Sequence, residues 1–183
     1  TKGMADLDLV LDELWSVTRD EMNFLTEAAN MEEFAKLNGD IAYVGTAKLY
    51  QEYTTAHVLV MEYIDGFGID EKDKLESEGY DLAEVGAKLA DNYVKQVIED
   101  GFFHADPHAG NVRVRGGKII WIDMGMMGRL TPKDRELLEK AVRGIASSDA
   151  GMIQEAVLAL GEFKERPSLS RLYEDISTLL AKY

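Results

Sequence analysis

Hydrophobic residues recur at helical spacing through the first 40 residues of the chain. The apolar positions follow each other three or four residues apart over residues 7–14 and again over residues 24–37. Asn38-Gly39 then supplies a typical helix stop. The pattern changes to two strand-like runs at residues 48–53 and 57–61, separated by a short turn. The first third of the chain therefore predicts helices followed by a β-hairpin.

The second part of the chain predicts more helix around one short strand pair. Asp81 and Glu84 form a capping pair for a helix that runs to about residue 100. Its predicted buried stripe comprises Leu82, Val85, Leu89, Tyr93 and Val97. Residues 102–111 are rich in glycine, proline and polar side chains and predict an irregular loop.

Residues 112–114 and 118–122 predict two strands joined at Gly116-Gly117. Further helices are expected to begin after Thr131, Asp149 and Ser168. The acidic stretch at residues 70–78 predicts a solvated helix or loop face. The order of these elements predicts an α+β fold that is mostly helical.

Composition narrows the class of function. Among 183 residues, 34 are acidic and 20 are basic, which gives a net charge of −14. Residues 1–100 hold 23 acidic and 8 basic residues, whereas residues 101–183 hold 11 and 12. This surplus of acid predicts that the protein does not bind nucleic acid. Cysteine is absent, which excludes a thiolate metal site and favours a cytoplasmic location, and no apolar window is long enough for a transmembrane segment.

Two polar clusters carry the candidate chemistry. The first contains Asp106 and Asn111 on a proline-containing loop, and the second places Asp123 after an apolar strand. One aspartate can orient a hydroxyl group while the amide and the second carboxylate hold Mg²⁺ on phosphates. An alternative is a transition-metal site at His104, Asp106 and His108, because imidazole and carboxylate alternate there.

These clusters resemble a known family. The run G-F-F-H-A-D-P-H-A-G-N at 101–111, followed by I-D-M-G-M-M-G-R-L at 122–130, is similar to the UbiB or AarF-type atypical kinases. Ala109 departs from the second proline of the usual motif. The resemblance extends to the helix-C-like residues 21–34 and the hinge-like residues 60–66. It covers residues 15–165 and implies a protein-kinase-like fold.

The resemblance implies roles for individual residues. Asp106 corresponds to the catalytic-loop aspartate, and Asn111 and Asp123 correspond to the Mg²⁺ ligands of a site that uses ATP or ADP. Glu27 corresponds to the helix-C glutamate that pairs with the nucleotide-binding lysine. The implied adenine pocket comprises Met61, Glu62 and Tyr63.

Glu21 corresponds to the first residue of the family's E-x-D motif, which contacts a K-x-G-Q segment. Asn23 replaces the aspartate of that motif, so the contact loses one charge. Thr18 and Glu21 also fit a simple capping box, which leaves a purely structural role open for Glu21.

The implied division is a partial amino-terminal lobe at 1–66, with its hinge near 61–66, and a helical carboxyl-terminal lobe at 67–183. No residue before Glu21 resembles a phosphate-covering loop or a strand lysine, so we expect an excised fragment or a truncated gene product. Such a chain is expected to turn over ATP slowly or not at all. Its exposed lobe surface is expected to favour self-association.

Three functions compete at this stage. The first is the catalytic core of a UbiB-type kinase or ATPase, which implies a role in isoprenoid-quinone or prenyl-lipid metabolism and a lipid or membrane-bound partner. The second is a small-molecule kinase of the aminoglycoside or choline phosphotransferase type, which shares the H-x-D-x-x-x-x-N loop. The third is a catalytically silent binding module, which would tolerate Asp106→Asn.

Overall fold

The computed structural model describes residues 23–161, 163 and 167–182. The helix predicted at 7–14, together with Glu21, lies outside these residues. The described chain divides into two compact units. The first contains the residues up to Tyr93 together with His104–Gly128, and the second contains Val94–Phe103 and the residues from Arg129 onward. The lobe boundary expected at residue 66 stays a prediction.

The first described helix of the first unit is α1, Phe24–Leu37. The side chain of Asn23 caps it by accepting a hydrogen bond from the Leu25 N–H at 3.2 Å. Its buried face contains Ala28, Met31 and Phe34. At the other end, Asn38 donates from its backbone and its side chain to the Phe34 carbonyl, at 3.1 and 3.0 Å. The helix and its stop at Asn38 are therefore confirmed.

A four-stranded sheet packs in the same unit. Its strands are β1 (Val44–Thr46), β2 (Phe67–Gly68), β4 (Val112–Arg115) and β5 (Lys118–Trp121), in the order β1-β5-β4-β2. The predicted pair β4 and β5 is confirmed and is antiparallel, with Val112 opposite Trp121. Strand β1 lies parallel to β5, with Thr46 opposite Trp121. Strand β2 lies antiparallel to β4.

The two strands predicted at 48–53 and 57–61 are wrong as regular strands. Only isolated bridges join Leu49 to Met61 and Thr55 to Val58, and Gln51–Tyr53 form a 3₁₀ turn. The Thr54 hydroxyl donates to the Tyr50 carbonyl and accepts from the Val60 N–H, each at 3.1 Å. A side chain that competes for backbone groups in this way interrupts the ladder.

The first unit also contains α2 (Lys72–Ser77) and α3 (Leu82–Val94) as far as Tyr93, and the π-helical turns of Lys95–Asp100 follow in the second unit. The Asp81 carboxylate caps α3 by accepting from the Ala83 N–H at 2.8 Å. The predicted apolar stripe of α3 is only partly correct. Val85 is buried, but the fully buried positions further along are Asn92 and Gln96. Polar side chains thus reach the core, where they need hydrogen-bond partners.

The loop predicted at 102–111 is partly regular. Phe102–His104 form β3, which pairs with β6 (Met127–Arg129), and Ala109–Asn111 form a 3₁₀ turn. Phe102 and His104 are buried, which explains why this polar run begins as a strand rather than a loop.

The second unit contains three helices after residue 130. They are α4 (Pro132–Ala146), α5 (Ala150–Leu160) and α6 (Leu169–Lys182). Thr131 and Asp149 cap the first two, as predicted, by accepting from the backbone N–H groups of Asp134 and Met152. The mostly helical α+β fold is confirmed. No helix among the described residues is both long and apolar enough to cross a membrane.

Replacing a helical glycine by alanine is expected to change the free energy of unfolding in opposite directions at Gly144 and Gly86. A Cβ on Gly144 would lie 2.7 Å from Ile153 Cγ1 and 3.1 Å from the Ile153 backbone nitrogen, whereas a Cβ on Gly86 would meet no atom within 4 Å. We expect Gly144→Ala to lower the free energy of unfolding by about 1–3 kcal/mol. Gly86→Ala should raise it by about 0.5–1 kcal/mol. Urea denaturation measures both, and a stabilised Gly144→Ala protein would contradict the close packing of α4 on α5.

Candidate active site

Four of the predicted site residues line one cleft of the first unit. Glu27 comes from α1, Asp106 and Asn111 from the segment between β3 and β4, and Asp123 from the residues after β5. The cleft has a volume of about 440 Å³ and is also lined by His104, Gly125, Met126 and Met127. The chain therefore brings side chains from three distant parts of the sequence to one place.

The backbone of Asp106 is held on both sides. Its N–H donates to His104 Nδ1 at 3.2 Å, and its carbonyl accepts from the His108 N–H at 2.8 Å and from Asn111 Nδ2 at 3.1 Å. The Asp106 side chain is 53% exposed, with Oδ2 3.5 Å from His108 Nε2. A fixed backbone therefore carries a carboxylate that remains open to a reacting group.

His104 joins the two loops of the cleft. Its ring is fully buried, and Nδ1 accepts from the Asp106 N–H, so the ring proton lies on Nε2 and is donated to the Asp123 carbonyl. Burial lowers the pKa of His104, which favours this neutral form.

The bonds of His104 also bear on the transition-metal alternative. Both ring nitrogens are already used by backbone groups. Within the described part of the chain, no group of three or more histidine and carboxylate side chains could hold a metal ion. The H-x-D-x-H spacing is therefore not a transition-metal site in this structure.

Helix α1 holds the backbone of Met124 at both its N–H and its carbonyl. Glu27 Oε1 accepts from the Met124 N–H at 3.2 Å, and Asn30 Nδ2 donates to the Met124 carbonyl at 2.9 Å. Asn30 was not among the predicted site residues. The spacing of three residues between Glu27 and Asn30 puts both on one helix face and could have indicated a shared contact.

The cleft is acidic. Burial raises the pKa of Glu27, the Met124 N–H opposes this, and the negative charge of Asp123 raises it further. Asp123 Oδ1 accepts from the Gly125 N–H at 2.9 Å. Among the described residues, no lysine or arginine lines the cleft. An anionic nucleotide therefore needs cations from elsewhere to bind here.

The donor set of the cleft fits Mg²⁺. Asn111 Nδ2 is committed to the Asp106 carbonyl, which leaves Oδ1 without a partner among the described residues. The Asp123 carboxylate lines the same cleft and offers further hard oxygen atoms. Mg²⁺ in nucleotide sites typically takes one or two carboxylates plus phosphates and water, so a small set of protein oxygens is sufficient.

The hinge-like residues do not line this cleft. Glu62 Oε1 accepts from Arg115 Nη1 at 2.9 Å, and Glu62 Oε2 accepts from the Lys48 N–H at 3.2 Å. Met61 is 38% exposed and Tyr63 is 87% exposed. The Glu62 side chain thus holds the segment against Arg115 of β4 and against the backbone of Lys48.

Comparison with known proteins identifies close similarities in sequence and fold. A family model described as the ABC1 atypical kinase-like domain matches residues 1–157. A Clostridium pasteurianum protein named for the 5′ region of hydrogenase 1 is 38% identical over 183 residues, covering 100% of this chain and 34% of that protein. The Arabidopsis thaliana protein ACTIVITY OF BC1 COMPLEX KINASE 8, chloroplastic, is 39% identical over 155 residues, covering 83% of this chain and 20% of that protein.

A similar fold is found in a solved structure. Rv3197 of Mycobacterium tuberculosis, in complex with erythromycin, has a TM-score of 0.67 and 21% identity, over 94% of this chain and 44% of that one. At that identity the likeness concerns the fold alone. The chain spans about a third or less of the length of the two curated relatives.

The raised pKa of Glu27 predicts a pH-dependent effect of Glu27→Gln. A carboxyl group whose pKa rises on folding above 4.5 holds its proton more tightly in the folded state, so its contribution to stability is complete at low pH and is lost as the pH rises through the folded pKa. Glutamine keeps an acceptor for Met124 and has no charge. We expect Glu27→Gln to be more stable than the parent chain at pH 7 and equally stable at low pH.

Thermal unfolding across this pH range provides the measurement. Glu32→Gln is the matched control, because it removes the same charge from an exposed position of α1. A Glu27→Gln protein less stable than the parent chain at pH 7 would contradict the assigned burial.

Proposed function

Since the chain belongs to the ABC1 atypical kinase-like family, we propose that it carries the catalytic core of a kinase or ATPase that uses Mg²⁺ and ATP. The observation that supports this most is the convergence of Asp106, Asn111 and Asp123 in one cleft. Family membership also favours this function over the small-molecule kinase and the silent module.

In the proposed reaction, the Asp106 carboxylate orients the attacking hydroxyl or water and accepts its proton. Its exposure and its fixed backbone suit that role. Asn111 Oδ1 and the Asp123 carboxylate would hold Mg²⁺, which neutralises phosphate charge when it is bound. The acceptor can be a protein, a lipid or water.

The hinge-like segment is the proposed contact for the nucleotide base. The Glu62 carbonyl and the Ile64 N–H have no hydrogen-bond partner among the described residues. An acceptor and a donor two residues apart suit the edge of a purine, which offers a donor beside an acceptor. Met61 and Tyr63 offer exposed apolar surface on the same segment, as the adenine pocket requires.

The proposed site needs a cation that the described cleft lacks. Glu27 Oε1 is engaged with Met124, and the carboxylate lies beside Asp123, so a lysine here would neutralise both acids. We propose that the longer protein supplies such a lysine. The isolated chain is then expected to turn over ATP slowly or not at all, because phosphate charge is incompletely neutralised.

The wider role of the longer protein is proposed from the family resemblance. It is ATP-dependent support of isoprenoid-quinone or prenyl-lipid metabolism, with a lipid or quinone-pathway partner and association with a membrane.

Calorimetric titration with ADP, with and without Mg²⁺, tests nucleotide binding. We expect binding that depends on Mg²⁺, with a dissociation constant of about 0.1–1 mM in the isolated chain. Asp123→Asn should weaken binding in the presence of Mg²⁺ about tenfold, because it removes one charged ligand. Without Mg²⁺, binding should be unchanged or slightly stronger, because the variant removes a charge that repels the phosphates.

Asp149→Asn is the control, since asparagine caps a helix as well as aspartate and Asp149 lies in the second unit. The proposal fails if binding shows no dependence on Mg²⁺, or if both variants lose affinity equally.

A further inference from the structure

A chain of buried polar contacts runs through the core of the first unit. Trp121 Nε1 donates to Asn92 Oδ1 at 2.9 Å, and Asn92 Nδ2 donates to Asn38 Oδ1 at 2.7 Å. Asn38 Nδ2 donates in turn to the Phe34 carbonyl. Trp121 and Asn92 are fully buried, and Asn38 is nearly so. The three side chains come from β5, α3 and the end of α1.

The indole of Trp121 lies directly against His104. The two rings are stacked at a centroid distance of 5.0 Å and an interplanar angle of 29°. Tyr93 stacks on the same indole at 6.3 Å, and its hydroxyl donates to the His104 carbonyl at 3.1 Å. The ring that joins the two loops of the cleft is therefore packed against a tryptophan whose own orientation is fixed by Asn92.

We propose that Trp121 is a positioning residue for the active site, anchored by Asn92. It holds the His104 ring where Nδ1 receives the Asp106 N–H and Nε2 donates to the Asp123 carbonyl. Because it names residues that support the proposed Mg²⁺-nucleotide cleft, this inference rests on the proposed function.

The hydrogen bond from Trp121 Nε1 to Asn92 Oδ1 distinguishes the positioning of the indole from ordinary core packing. Apolar contact alone is not directional, so a phenylalanine could fill much of the space while rotating within it. A hydrogen bond from the indole N–H fixes the ring plane. Placing an asparagine at a fully buried position otherwise costs stability, since each of its polar atoms must find a partner. In this structure the buried asparagine is Asn92, and its side chain bonds both the indole of Trp121 and the side chain of Asn38.

The same contacts connect helix α1 to the Asp123 loop by a second route. Glu27 and Asn30 hold Met124 directly, while Asn38 reaches the loop through Asn92, Trp121 and His104. A displacement of α1 would therefore disturb the Asp123 loop at two points.

The imidazole N–H signal of His104 in the proton spectrum of the full chain tests the positioning role without nucleotide. His57 and His108 are exposed, so their ring protons exchange rapidly with water, and only buried His104 should give a persistent signal. Trp121→Phe keeps an aromatic ring but removes the donor to Asn92. We expect this variant to lose the signal or to exchange it at least about tenfold faster, since one directional hydrogen bond is gone.

Phe34→Leu is the matched control. Phe34 also packs on Trp121, at 6.4 Å, but only its backbone takes part in the polar chain. The control should lose stability and retain the His104 signal. An unchanged signal in a folded Trp121→Phe protein, or equal loss in both variants, would overturn the proposal. If Trp121→Phe does not fold, Asn38→Ala replaces it, with a smaller increase in exchange expected and an unchanged rate counting against the proposal.

Nucleotide binding separates this inference from the proposed function. Mg²⁺ should raise the affinity for ADP about tenfold less in Trp121→Phe than in the parent chain. The affinity for ADP without Mg²⁺ should differ by no more than about twofold between the two proteins. Phe34→Leu should preserve that gain, and an equal reduction in the two variants would overturn the positioning role. If Mg²⁺ does not raise the affinity of the parent chain for ADP, the proposed function fails. The His104 imidazole signal still decides whether Trp121 positions the ring.

Discussion

The arrangement of the cleft depends on one buried, neutral histidine. His104 can accept from the Asp106 backbone and donate to the Asp123 backbone only with its proton on Nε2. Protonation would convert the acceptor into a donor and break the first bond. Burial lowers the pKa of His104 and so keeps the form that ties the two loops together. The ring fixes Asp106 relative to Asp123 together with the bonds from the Ala105 N–H to the Met126 carbonyl and from the Ile122 N–H to the Asn111 carbonyl.

Charge then decides what the cleft can bind. Glu27, Asp106 and Asp123 line it with no lysine or arginine among the described residues. Such a site repels an anionic nucleotide unless metal ions and further cations accompany it. The net charge of −14 therefore does not argue against phosphate chemistry, because the protein oxygens are suited to hold the cation rather than the phosphate.

The sequence predicted the structure best where neighbouring residues alone determine the backbone conformation. Helix caps such as Thr131 and Asp149 and the glycine turn between β4 and β5 are determined by neighbouring residues, and they were predicted correctly. The hairpin at 48–61 failed because the Thr54 side chain takes backbone bonds that a pattern of hydrophobic residues does not reveal.

Contacts between distant segments were harder to predict. Asp106, Asn111 and Asp123 were singled out through their motifs. The spacing of Asn30 from Glu27 indicates a shared helix face but not the partner Met124, and no local pattern indicates the contact of Asn92 with Trp121. The central claim is that the cleft between the two loops holds metal and nucleotide together. Paramagnetic Mn²⁺ with ADP, followed by amide resonances, tests it most directly. The amides of residues 105–106, 108–111 and 123–125 should broaden with Mn²⁺ and ADP together, and broadening confined to the acidic residues 70–78 would contradict the account.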